Sequence, residues 1–224
     1  FGALDTQTRV HLRREIRTLL KKVNVPSIFI THDQEEALEL GDRVAVLNVG
    51  HIEQIGTPFE IYNHPATEYV ATFLGAANVL DAVVRQDFIE VGSAQIPATL
   101  DEVKFKPGNC VKIVFRPEDV SLQRGDFMRS GHARLASAII EEIAFVGAYE
   151  RVRLRMETGP EECKTDETPF YLTTETPDRQ PAKSIIATRP KPAASATRLQ
   201  VGERVVVALT SFTVLSPQGS KGAN

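Results

Sequence analysis

The run Ser27-Ile28-Phe29-Ile30-Thr31-His32-Asp33-Gln34-Glu35-Glu36-Ala37-Leu38 decides how the first part of this chain is read. Its β-branched and aromatic half predicts a short buried strand over 27–31, and its second half predicts a helix over 34–40. Asp33 and Glu36 stand in capping-box spacing at that helix start, with Gly41 as its C-terminal stop. Upstream, Leu12, Ile16, Leu19, Leu20 and Val23 recur on one face of a helix. Arg9, Arg13, Arg14, Arg17, Lys21 and Lys22 spread over the rest of it, Asp5 or Thr6 is its natural N-cap, and Asn24 and Pro26 stop it. Helix, strand, turn and helix in succession predict an α/β unit with a parallel sheet. Downstream, 43–48 and 51–55 read as strands joined at Gly50, Thr57-Pro58 opens a short helix, and 67–74 forms another ending at Gly75.

Ligands of open α/β sheets gather at the carboxyl ends of the strands, which is where Thr31 and His32 would lie. An imidazole there can donate to a phosphate oxygen or to an attacking water, and it titrates near neutrality. The alternative is that His32 merely joins strand to helix while Asp33 caps. Asp5 has the same two readings, because an N-cap aspartate needs no further function.

Composition narrows the class. With 224 residues, 42% hydrophobic and 25% charged, the chain is an ordinary globular sequence of one to two domains with a packed core. A net charge of -3 and a pI near 6.0 provide no general attraction to nucleic acid or anionic lipid. The longest apolar runs, such as 205–209, fall far short of the roughly 20 residues that span a bilayer. Cys110 and Cys163 fit neither a metal pair nor a disulfide framework and read as inert thiols of a reducing cytosol. The chain opens at Phe1 with no leader-like segment, which reads as part of something longer. No GxxxxGK[ST] phosphate-binding loop occurs in it.

From Asn78 the texture becomes that of short strands separated by Gly and Pro turns, predicting an all-β module folded as a small barrel or sandwich. Residues 79–84, 111–115, 151–156 and 205–209 are its clearest strands, with Arg116-Pro117-Glu118-Asp119 as a turn. Phe105 to Phe115 and Leu199 to Leu209 share one pattern: an apolar residue, Gly three later, then alternating apolar positions. That similarity predicts one strand-and-turn unit occurring twice. Between 157 and 198, Pro160, Pro169, Pro177, Pro181, Pro190 and Pro192 predict a flexible insert, with strands at 170–172 and 184–186 as the alternative. Residues 216–224 read as a fraying tail. Arg151, Arg153 and Arg155 share one strand face, which could hold an oxyanion or simply be solvated.

Three stretches carry a family resemblance: Phe1-Gly2-Ala3-Leu4-Asp5, Ile30-Thr31-His32-Asp33-Gln34-Glu35-Glu36-Ala37-Leu38, and Gly50-His51-Ile52-Glu53-Gln54-Ile55-Gly56-Thr57-Pro58. In this order they resemble the ATP-binding-cassette ATPase subunits of bacterial importers, most of all the sulfate/thiosulfate import ATPases, with polyamine and ferric-iron importers close behind. The resemblance covers about residues 1–78 well and the remainder by pattern.

It implies that residues 1–76 are the C-terminal part of a cassette domain. Residues 77–224 would then be a regulatory β module, resembling the paired oligonucleotide-binding-like barrels appended to such subunits. Gly2, Ala3, Leu4 and Asp5 match the D-loop, which lies across the dimer interface beside the partner's nucleotide. His32 matches the switch histidine that contacts the γ-phosphate. Many relatives have Ser or Asn where Gly2 stands, which leaves the backbone to play the D-loop part there. The resemblance implies ATP and Mg2+ as cofactors, with most of their ligands, including the catalytic glutamate, upstream of Phe1. The isolated chain is therefore expected to be inactive. The implied partners are a second copy of the ATPase subunit, two membrane permease subunits and, indirectly, an external binding protein, with no nucleic acid. The implied location is the cytoplasmic face of the plasma membrane, and the implied cargo is sulfate or thiosulfate. Two readings from other classes stand beside it: a non-catalytic module sensing an oxyanion or polyamine, and an oligonucleotide-binding barrel with an α/β appendage.

Overall fold

The computed structural model describes residues 6–97, 105–125, 131–157, 184–191 and 197–216. It divides into two compact units, Phe1–Gly75 and Ala76–Asn224.

The first unit contains α1 (Thr6–Val23), α2 (Gln34–Leu40), a hairpin of β1 (Val44–Asn48) and β2 (His51–Gly56), α3 (Pro58–Asn63) and α4 (Glu68–Phe73). α1 ends where Asn24 turns to φ +53, a conformation its short polar side chain tolerates. α3 opens with a complete capping box between Thr57 and Glu60, and the Thr57 backbone amide holds the Glu60 carboxyl below its ordinary range. Val44 and Val46 on one face of β1 pack with Ile61, Val70 and Leu74 as the core of this unit.

Two expectations are corrected here. Residues 27–31 form no strand, and Ile28 and Ile30 are 94% and 97% exposed. A strand exists only through its ladder, and among the described residues nothing pairs with this segment. The sheet of this unit is the antiparallel β1–β2 hairpin, not a parallel one. The apolar face of α1 is also only partly used. Leu12, Ile16 and Leu20 are half-buried, Leu19 and Val23 are exposed, and the residue driven inside is Arg13.

The regular structure of the second unit is β among its described residues, apart from a one-turn 3-10 helix at Pro117–Asp119 and the helical Lys191. Its strands are β3 (Asn78–Val84), β4 (Phe88–Val91), β5 (Ala94–Pro97), β6 (Cys110–Phe115), β7 (Val120–Gln123), β8 (Ala133–Phe145), β9 (Tyr149–Met156), β10 (Ser184–Pro190), β11 (Arg204–Leu209) and β12 (Thr213–Leu215). They make two five-stranded antiparallel sheets in the orders β12-β6-β3-β4-β5 and β10-β9-β8-β11-β7. Strands from both sheets feed one buried core that includes Ile89, Ile113, Phe115, Leu154, Ile185 and Val207.

The duplication read from the sequence is visible in the hydrogen bonds. Gly108 donates its N–H to Val84 O at 2.8 Å, and Gly202 donates to Ile140 O at the same distance. Val84 and Ile140 donate in return to Asn109 O and Glu203 O, at 2.9 and 3.0 Å. In each turn a side-chain oxygen, Asn109 Oδ1 or Glu203 Oε2, accepts from the amide three residues before, Lys106 or Gln200, at 3.0 Å. Taking Val84 and Ile140 as equivalent maps β3, β4, β5, β6 and β7 onto β8, β9, β10, β11 and β12. The sheet orders then show an exchange. β7 follows β6 in the chain but pairs with β11, while β12 follows β11 and pairs with β6. Each half is thus completed by the other's last strand.

Both turn glycines need a positive φ, +89 at Gly108 and +84 at Gly202, and a Cβ at either would meet nothing within 4 Å. Their substitution therefore costs backbone strain alone. Gly108→Ala and Gly202→Ala are each expected to lower stability by about 1 kcal/mol, and by equal amounts, as read from urea melts. A cost at one site and none at the other would contradict the equivalence of the two turns.

Ser184–Pro190 is a strand, as the alternative reading of 184–186 expects, rather than part of a flexible insert, because β9 gives it a seven-residue ladder. Residues 170–172 lie outside the described residues. Cys110, expected as an inert thiol, is disulfide-bonded.

Candidate functional site

His32 stands at the entrance of α2, and the residues on either side of it are fastened. Thr31 Oγ1 accepts the Asp33 N–H at 3.0 Å and donates to Glu36 Oε2 at 2.7 Å. Asp33 caps the helix, its Oδ1 accepting from the amides of Glu35 at 2.9 Å and Glu36 at 3.2 Å. The predicted capping box is therefore half formed. The Asp33 amide is taken by Thr31, so the Glu36 carboxylate turns to the Thr31 hydroxyl instead. The His32 side chain is exposed, so the turn presents an imidazole to solvent on a backbone held from both sides.

What sequence reasoning missed is Arg13. Helix periodicity assigned it to the solvated face, yet its side chain is only 4% exposed. Nη2 reaches Asp33 Oδ2 at 2.9 Å and lies 4.0 Å from Glu36 Oε1, while Nη1 reaches Glu35 Oε2 at 3.1 Å and Glu39 Oε2 at 3.5 Å. Burial works against its charge, but the Glu35 hydrogen bond and the pull of Asp33 outweigh that, and its pKa is raised. Arg13 Nε is buried with no hydrogen-bond partner. The available signal was the acidic cluster itself, since four carboxylates within seven residues call for a cation.

Gly2, Ala3, Leu4 and Asp5 lie outside the described residues. The described residues contain no group of three or more His, Cys, Asp or Glu placed to hold a metal ion. No helix among them is long and apolar enough to cross a membrane. The three-arginine face of β9 is largely neutralised, with Arg155 Nε 2.8 Å from Glu141 Oε1 and Arg153 Nη2 3.5 Å from Glu142 Oε2. Paired in this way, it favours the solvated reading over an oxyanion site.

No family model matches the chain. Among curated proteins it is 41% identical over 161 residues to the Fe(3+) ions import ATP-binding protein FbpC 2 of Rhizobium meliloti, covering 68% of this chain and 40% of the relative. It is 46% identical over 127 residues to the sulfate/thiosulfate import ATP-binding protein CysA of Caulobacter vibrioides, covering 57% and 36%. It is 37% identical over 169 residues to the spermidine/putrescine import ATP-binding protein PotA of Oleidesulfovibrio alaskensis, covering 72% and 44%. The chain spans well under half the length of these relatives. Among solved structures it is similar to the cytoplasmic molybdate-binding protein ModG, at 14% identity and a TM-score of 0.44, over 62% of this chain and 96% of that one.

Proposed function

From its homology to the ATP-binding proteins of ABC importers, we propose that this chain is the later part of an importer ATPase subunit. Residues 1–76 end its nucleotide-binding domain, and residues 77–224 form a regulatory module of oligonucleotide-binding-like type. The observation that carries the reading is the 37% to 46% identity to import ATP-binding proteins of three different cargoes. Sulfate or thiosulfate is the proposed cargo.

In this reading His32 donates a hydrogen bond to the terminal phosphate of ATP. An exposed imidazole on a fastened turn fits that part, because a single donor acts on a developing charge only if it is already aimed. ATP supplies the phosphoanhydride whose hydrolysis powers uptake. The phosphate-binding loop is absent from these 224 residues, and the described ones offer no metal cage. In this reading the chain supplies one edge of a nucleotide site through His32, with most ligands of ATP and Mg2+ supplied elsewhere. Gly2, Ala3, Leu4 and Asp5 are proposed as the D-loop across a dimer of two ATPase subunits. That dimer would sit on the cytoplasmic face of the membrane and drive two permease subunits.

The test is ATP turnover and solute uptake by the complete transporter in vesicles, challenged with sulfate, thiosulfate, ferric iron, spermidine and glycerol phosphate. Sulfate-stimulated turnover is expected, with none above background from the 224-residue chain alone. Stimulation by another cargo would replace sulfate. Turnover by the chain alone that disappears in His32→Ala would overturn the division of the site.

A further inference from the structure

Arg13 is buried on a helix where Arg14, Lys21 and Lys22 stay at the surface, and the places its guanidinium reaches are not equivalent. Glu35 and Glu39 have side chains 80% and 45% exposed, and pairs with them could form without burying the cation. Asp33 and Glu36 are different. Asp33 follows His32 directly, and Glu36 holds Thr31, the residue that precedes it. One guanidinium therefore bears on both ends of the turn that carries His32. A plain staple between α1 and α2 is already present further along. Arg17 donates to the Glu39 carbonyl, and Arg17 and Lys21 approach Asp42 at 3.9 and 3.8 Å.

We propose that Arg13 is a positioning residue for His32, acting through Asp33, Glu36 and Thr31; the inference rests on reading His32 as the histidine that contacts the terminal phosphate. Burying a cation is costly, and although Nε is left without a partner, the planar fork serves Asp33 from one terminal nitrogen and Glu35 from the other. Lysine keeps the charge but offers a single point. The arrangement thus predicts an arginine requirement that a charge requirement does not.

The first test uses the 224-residue chain. The backbone order parameter at His32, measured by nuclear magnetic resonance relaxation, is expected in the rigid range near about 0.85 and below about 0.6 in Arg13→Gln. Arg13→Lys is expected in between. Thr31→Val, which cuts the turn without removing a charge, is expected to loosen His32 alike, and it decides the matter if Arg13→Gln does not fold. The second test uses the assembled transporter. Arg13→Gln is expected to lower kcat about tenfold with KM for ATP within about twofold, and to cause no further loss when combined with His32→Ala. An unchanged order parameter, or losses that multiply on a catalytically required His32, overturns the positioning role. A neutral His32→Ala overturns the reading of His32 itself, whatever the spectra show.

Discussion

His32→Ala is expected to lower the ATP turnover number of the assembled transporter by about 10²–10³-fold, equivalent to about 2.7–4 kcal/mol of transition-state stabilisation. KM for ATP should change by less than about threefold, because a single donor adds little to the ground-state binding of a polyanion held by many others. The substitution is well suited to this measurement. The His32 side chain is exposed, so its removal should alter stability by no more than about 0.5 kcal/mol, and the variant should melt with the parent. A loss of turnover is then a loss of chemistry rather than of folded protein. Steady-state hydrolysis with saturating sulfate and its binding protein makes the check. Parental turnover in His32→Ala would leave the residue as a connector between the segment before it and α2.

Asn78→Ala is expected to destabilise the second unit by about 2–6 kcal/mol, the largest effect on stability we anticipate from a single polar residue. Asn78 is 1% exposed at the start of β3. Its Nδ2 donates to Ile186 O at 2.9 Å and its Oδ1 accepts from Ile186 N at 2.8 Å, across 108 residues. The amide thus stands in for a neighbouring strand, joining β3 of one sheet to β10 of the other. Alanine removes both bonds and strands a buried N–H and C=O, each at about 1–3 kcal/mol. The exposed pair of Arg85 with Glu90 should by comparison contribute at most about 1 kcal/mol. Urea melts followed by circular dichroism make the measurement, with the slope unchanged and the midpoint lowered. Asn78→Asp keeps the acceptor and loses the donor, so it should recover part of the loss only at acidic pH, where its carboxyl carries a proton. A cost below about 1 kcal/mol for Asn78→Ala would mean that water or a backbone shift satisfies Ile186.

The exchange of β7 and β12 bears on how such damage spreads. Neither half of the second unit has a complete sheet without the other, and the core mixes residues of both. A lesion at Asn78 should therefore be felt as one cooperative loss across the unit, not as the melting of one half.

Much of this architecture is local and could be read residue by residue. Thr57 and Glu60 announce α3 because a capping box is closed within four residues. Gly108 and Gly202 announce matching turns because a positive φ is a property of one residue. The corrected expectations concern relations between distant residues. The pattern of Ile28, Phe29 and Ile30 reports apolarity but cannot supply a ladder partner, and among the described residues none is present. The periodicity of α1 counts apolar positions and so placed Arg13 outside, although its carboxylate partners lie 20 to 26 residues away. Prolines between 157 and 198 argued for an insert, whereas Ser184–Pro190 is ordered by its ladder with β9.

By itself the sequence determined the helices and turns, the change to β texture after Gly75 and the repeated unit, since these depend on neighbours within about one turn or one hairpin. His32 was singled out by its motif resemblance, because the strand end expected to present it does not form. Tertiary structure alone decided that Arg13 is buried against the His32 turn, that Asn78 bridges two sheets, and that each half of the second unit borrows its last strand from the other. Those outcomes depend on which distant groups meet, and burial makes an unmet polar group too costly to leave alone.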